Sequence, residues 1–88
     1  MTKTVVIEIS MYPLKDEYLQ PIKTFIERLN TYAQIKVKTS ATSTIVVGDY
    51  LPTIELVAKE MQRSHDEVGQ AIFVCKFLNG DKMSQPVC

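Results

Sequence analysis

Thr39-Ser40-Ala41-Thr42-Ser43-Thr44-Ile45-Val46-Val47-Gly48-Asp49-Tyr50 is the stretch on which the fold turns. Its first six residues are small or hydroxylic, the next three are β-branched and apolar, and Gly48-Asp49 ends the run. Chemically this is a turn, a buried strand and a helix start in succession. The hydroxyls admit two readings. Ser and Thr in a turn hydrogen-bond their own backbone and serve a hairpin. The same groups also form a row of donors and acceptors at the mouth of a sheet, suited to a polar ring.

The flanks extend this pattern. Before it, Gln34 to Lys38 alternates, with Ile35 and Val37 inward and Lys36 and Lys38 outward, as an edge strand protected by charge. The opening stretch then forms a strand over about Ser43 to Gly48, antiparallel to the previous one. After it, Leu51, Ile54, Val57, Ala58 and Met61 make a helical stripe, with Asp49 or a neighbour as cap and Pro52 in the first turn. The polar stretch from Ser64 to Gly69 closes that helix on a glycine.

Nearer the N-terminus, Thr4 to Met11 alternates with period two. Val5, Ile7, Ile9 and Met11 share one face, and Val6, Glu8 and Ser10 the other. Pro13 cannot donate to a ladder and is expected to end the strand. Tyr18, Ile22, Phe25, Ile26 and Leu29 then follow helical spacing, from an Asp16 cap to about Asn30. That stripe reads as core. Ala71 to Leu78 is a fourth strand, with Phe73, Cys75 and Phe77 opposed to Ile72, Val74 and Lys76. Residues 1–80 read as one domain and residues 81–88 as a C-terminal tail.

The order is strand, helix, strand, strand, helix, strand. Right-handed crossovers lead from it to an α+β, ferredoxin-like βαββαβ sandwich: a four-stranded antiparallel sheet with both helices on one face. The bare face would carry Val6, Ile72, Val74 and one of the Ile45/Val46 pair. An apolar patch there predicts a homodimer or homotetramer packed through the sheet.

Composition removes whole classes of function. At 88 residues the chain buries only about 60–65% of its unfolded surface, so its stability is marginal. Two cysteines without paired spacing make no disulfide framework and suit a reducing, cytoplasmic setting. One histidine and no Cys-x-x-Cys argue against a metal site, and no cofactor motif is present. Ten basic and ten acidic residues cancel, leaving no electrostatic footprint for nucleic acid. No apolar run approaches the ~20 residues a bilayer requires. The N-terminus leads into a strand without the regions of a signal peptide, so a soluble cytoplasmic protein is expected.

Enzyme readings fail at their first requirement. Three glycines stand apart at 48, 69 and 80 and make no phosphate loop. His65 lies near a helix end without an orienting partner, and Glu8 and Asp49 read as a surface charge and a cap. The other functions of this fold fare no better. Stacking aromatics for RNA are missing from the central strands. The first loop holds neither a Cys-x-x-Cys nor an arginine, and Arg28 and Arg63 both fall in helices. No catalytic residue is assigned; binding remains.

Three segments carry a family resemblance: Ile9-Ser10-Met11-Tyr12-Pro13-Leu14, Ser43-Thr44-Ile45-Val46-Val47-Gly48-Asp49, and Lys76 near the end of the last strand. In order and spacing they resemble the thiamine-binding protein family, over roughly Val5 to Phe77. The resemblance implies a ferredoxin-like subunit, dimers or tetramers with sheets in contact, and a site for thiamine or hydroxymethylpyrimidine near the sheet. The residue chemistry agrees. An aminopyrimidine needs both hydrogen-bond polarities, which Ser10, Thr39, Ser43 and Thr44 can supply. Tyr12, Tyr50, Glu8 and Asp49 are candidates to offset a thiazolium charge. Lys76 would pair a carboxylate or bind an anionic ligand group. The expectation is a carrier without chemistry of its own; the alternative is an oligomeric interaction or regulatory module with no vitamin ligand.

Overall fold

The computed structural model describes residues 3–80, so the tail expected over residues 81–88 lies outside the described residues. The elements are β1 (Thr4–Pro13), α1 (Leu19–Leu29), β2 (Lys36–Thr39), β3 (Thr44–Asp49), α2 (Tyr50–Val68) and β4 (Ala71–Asn79). They form one four-stranded sheet in the order β2-β3-β1-β4, with every neighbouring pair antiparallel. This is the ferredoxin-like βαββαβ architecture that the alternation of periods implied.

Alternation along β1 explains how the layers meet. Val5, Ile7 and Ile9 point into the core with Val46 of β3, Phe25 and Leu29 of α1, and Val57 of α2. Both helices therefore lie on one face. The ring of Phe25 stands 5.1 Å from that of Phe73 and fastens α1 to β4. On the other face, the cross-strand rows are Lys36–Val47–Val6–Leu78 and Lys38–Ile45–Glu8–Lys76. Register thus resolves the Ile45/Val46 pair: Val46, opposite Ile7, goes to the core and Ile45 to the bare face.

β1 ends at Pro13, where the sequence expected the proline to stop it, and it stays paired with β4 as far as Pro13 opposite Ala71. Leu14 N–H donates to Gln70 O at 3.2 Å, in register. Antiparallel pairs alternate, so the nitrogen of Pro13 faces away from β4 and costs that ladder nothing. Two expectations need correction. Asp16 does not cap α1. The longer β1 leaves residues 14–18 to cross to the helical layer, and Tyr18 takes the cap position without a side-chain bond.

The second correction concerns α2. Its buried residues are Thr53, Leu56, Val57, Glu60 and Ser64, while Leu51 is 64% exposed and Ala58 is exposed. The helix is rotated from the most apolar stripe because it packs against α1 as well as the sheet. Close approach at its start depends on Gly48, where a Cβ would overlap Thr53 Oγ1. At its end, Gly69 adopts φ +91° and donates its N–H to His65 O at 2.9 Å.

Against α1, Glu60 is 2% exposed and accepts a 2.6 Å hydrogen bond from the Tyr32 hydroxyl. Arg63 Nη1 stands 4.0 Å from its other oxygen. Donation to the carboxylate, aided by burial and by its charge, holds the Tyr32 hydroxyl above its ordinary pKa of 10.0, with Arg63 opposing. A raised pKa favours the protonated form, so this contribution is complete below the unfolded value and fades as pH rises through the folded one. Tyr32→Phe should cost about 1–3 kcal/mol at neutral pH by leaving a buried carboxylate oxygen unpaired. In urea unfolding the difference between wild type and variant should narrow at strongly alkaline pH; a constant difference would contradict the assignment.

Candidate functional site

The site arises from unequal strand lengths. β1 has ten residues and β3 has six. Pairing between them stops at Ile9 opposite Thr44, while β1 continues beside β4 as far as Pro13. The chain leaves β2 at Thr39 and re-enters β3 at Thr44, so the hydroxyl-rich turn closes beside this overhang. Between the turn, the overhang and the start of α1 lies a cleft of about 390 Å³. That volume is in the range of small-molecule sites, roughly 300–1,000 Å³. Ile9, Ile22, Phe25 and Ile26 make it apolar on the helix side, and hydroxyls line the turn side.

The turn uses part of its hydroxyl chemistry on itself. Ser40 N–H donates to Ser43 O at 2.9 Å, and Ser40 Oγ donates to the same carbonyl at 3.2 Å. Ser40 Oγ also accepts from the backbone of Thr42 at 3.4 Å and Ser43 at 3.3 Å. For Ser40 the hairpin reading is therefore the correct one. Ser10 Oγ ties the turn to β1 by donating to Thr42 O at 3.2 Å. Ser43 Oγ donates to Glu8 Oε2 at 3.4 Å. No side-chain hydrogen bond within the described residues engages the Thr39, Thr42 or Thr44 hydroxyls, all of which line the cleft.

Five of the residues expected at the site line this cleft: Ser10, Tyr12, Thr39, Ser43 and Thr44. Ser10 and Thr44 belong to opposite faces of the sheet, and both reach the cleft because it wraps round the end of β3. Glu8 and Lys76 lie just outside, directly opposite each other on the bare face, with Lys76 Nζ 3.6 Å from Glu8 Oε1. The lysine is thus a carboxylate partner, in an exposed pair of the kind worth at most ~1 kcal/mol. Glu8 joins the cleft lip through Ser43. Asp49 and Tyr50 are not brought there. They sit at the far end of β3, about 17 Å away at strand rise, and line a separate cleft with Leu51 and Phe77.

Sequence reasoning missed Tyr18, which stood in the core stripe of α1. It precedes the helix and is 53% exposed, while Tyr12 is 54% exposed, and both line the cleft. The shift of the helix start is what freed it. Other reactive groups are occupied elsewhere. The ring of His65 lies 3.0 Å from Ala71 O by Nε2 and edge-on to Phe73. Burial pushes the Cys75 thiol above its ordinary pKa, disfavouring the nucleophilic thiolate.

Ser40 and Thr39 separate the two uses of the turn hydroxyls. Ser40→Ala should cost about 1 kcal/mol in urea unfolding. Thr39→Ala, at a surface position, should stay within about 0.5 kcal/mol. Equal costs would show that the turn does not divide its hydroxyls in this way.

No protein-family model matches the chain, and no curated protein matches it. Solved structures do match in fold. One is a protein of Thermotoga maritima assigned provisionally to thiamine biosynthesis or salvage. It is 14% identical with a TM-score of 0.77, over 84% of this chain and 81% of that one. A Streptococcus pneumoniae protein is 15% identical with a TM-score of 0.82, over 93% and 92% of the two chains. A hypothetical protein of Methanocaldococcus jannascii is 22% identical with a TM-score of 0.76, over 96% of this chain and 88% of its own. At these identities what is shared is the ferredoxin-like fold.

Proposed function

We propose that the cleft beside the β1 overhang binds thiamine or its hydroxymethylpyrimidine moiety, for sequestration or delivery in the cytoplasm, without chemistry of its own. The observation that carries this reading is the cleft's composition: a small apolar hollow with hydroxyl residues on one side and two half-exposed tyrosines in its lining. A flat heterocycle loses little on entering the apolar part, and threonine hydroxyls satisfy its nitrogens in either polarity. The rings of Tyr12 and Tyr18 suit a thiazolium by cation–π attraction. The fold likeness to the Thermotoga maritima protein and the three resembling segments point the same way.

A second reading draws on the bare sheet face. Ile72, Val74 and Leu78 are exposed there beside the buried Val6 and Val47. Among the described residues, no helix is long and apolar enough to cross a membrane, so a bilayer-spanning helix is not what the patch serves. Association of copies through this face accompanies the carrier reading. If no vitamin binds, the same face makes the chain an interaction or regulatory module.

Thermal-shift scans separate the two. Thiamine, thiamine phosphates or hydroxymethylpyrimidine at 100 times the Kd should add about 2.7 kcal/mol of stability. For a domain this small that means a rise of roughly 10–20 °C in Tm. A flat response to every compound at millimolar concentration sinks the carrier reading. Sedimentation of the same samples reads the sheet contact, for which a strict monomer is the contrary result.

A further inference from the structure

The backbone at the cleft contains a recognition element that the side chains do not reveal. β1 and β4 pair in an unbroken register from Val5–Asn79 to Pro13–Ala71. Just past one end Gly80 N–H donates to Thr4 O at 2.8 Å, and just past the other Leu14 N–H donates to Gln70 O at 3.2 Å. In an antiparallel pair, residues that exchange backbone bonds alternate with residues that do not. The even-numbered residues of β1 therefore turn their N–H and C=O toward β4, and the odd-numbered ones turn theirs toward β3. The bond from Tyr50 N–H to Lys3 O, 2.8 Å, confirms the parity from the other side.

Val5, Ile7 and Ile9 meet Gly48, Val46 and Thr44 in this way. Met11 is the next odd residue, and no β3 residue pairs with it. The chain has already turned back at Ala41-Thr42, and the carbonyl of Thr42 takes the Ser10 hydroxyl instead. The N–H and C=O of Met11 thus face the cleft, which Met11 lines, with no backbone partner among the described residues. Unlike the outer edges of β2 and β4, this edge is recessed in a hollow with walls on both sides. A ligand there would replace water at a donor and an acceptor already held in place by the sheet.

One residue's N–H and C=O project to the same side of an extended strand, as they do toward a neighbouring strand. Their complement is a planar molecule with an acceptor and a donor adjacent on one edge. We propose that Met11 binds a nitrogen heterocycle of this kind by its backbone: N–H to a ring nitrogen or ring carbonyl oxygen, C=O to the neighbouring exocyclic amine or ring N–H. This rests on the carrier reading of the cleft and deepens it by assigning the polar contact to an atom pair and an edge of the ring. The free edge is only Met11 and the carbonyl of Pro13, too short for an extended peptide and well matched to one ring.

The test uses the full chain labelled with ¹⁵N and four probes: hydroxymethylpyrimidine, 4-aminopyrimidine, 2-pyridone and 4-(dimethylamino)pyrimidine. The first three offer the acceptor–donor edge; the last has lost the donor. The expected result is a downfield shift of the Met11 amide proton with the first three, and binding about tenfold weaker for the dimethylamino compound, as for one lost hydrogen bond. Should hydroxymethylpyrimidine fail while 4-aminopyrimidine or 2-pyridone moves Met11, the backbone assignment stands and the vitamin reading falls. A ring that perturbs Tyr12 and Ser43 but leaves Met11 unmoved overturns the assignment and spares the carrier reading. Equal affinity for the amino and dimethylamino compounds overturns the assignment as well, and so does a spectrum that none of the four changes.

Discussion

The structure depends on a mismatch in strand length around β1. A central strand needs a hydrogen-bonding neighbour on each edge, and over Val5 to Ile9 this one has both. Beyond Ile9 only β4 continues, because the hairpin of β2 and β3 has reached its turn. A polar backbone edge left inside a protein is costly unless water or a ligand meets it. Here the edge is left open and walled by the turn and α1, so this interruption in pairing coincides with the candidate binding site. Pro13 fits the same logic, since its missing N–H lies on the side where no strand stands.

The turn that limits β3 is stabilised by the chemistry that appeared available for a ligand. Ser40 closes the hairpin, Ser10 pins it to β1, and Ser43 reaches Glu8, which in turn faces Lys76 across the strand pair. What remains for a ligand is the Thr39, Thr42 and Thr44 hydroxyls and the rings of Tyr12 and Tyr18. The same division holds across the sheet. One face is consumed by the helices, whereas the other keeps an apolar surface that includes Ile72, Val74 and Leu78. A chain this short has little other means of burying apolar area, and association through that face would use it.

Glu60 shows how far helix packing departs from apolar counting. The stripe of Leu51, Ile54, Val57, Ala58 and Met61 maximises hydrophobicity, yet α2 buries Thr53, Glu60 and Ser64 alongside Leu56 and Val57. A helix that must meet both a sheet and a second helix has two contact directions, and a single stripe describes only one. Tyr32 supplies the hydrogen bond that makes the carboxylate tolerable there, from 28 residues away in the chain.

The sequence alone determined the succession of elements, because period two and period 3.6 are local properties of neighbouring residues and need no tertiary context. Ile35 and Val37 inward, Lys36 and Lys38 outward, Val5, Ile7, Ile9 and Met11 on the core side, and the hydroxyl turn between β2 and β3 were all legible in that way. So was the presence of Ser10, Tyr12, Thr39, Ser43 and Thr44 near one place, since antiparallel order sets β1 beside β3. Tertiary structure decided the rest. Where β1 loses its β3 partner, whether Asp16 or Tyr18 precedes α1, and which side of α2 is buried depend on what packs opposite. Asp49 joined the site in sequence terms only as a carboxylate able to offset a cationic ring, and the fold sets it at the other end of β3 from Thr44. The open edge at Met11 is the clearest case: it is a property of two strands of different length, and no single segment encodes it.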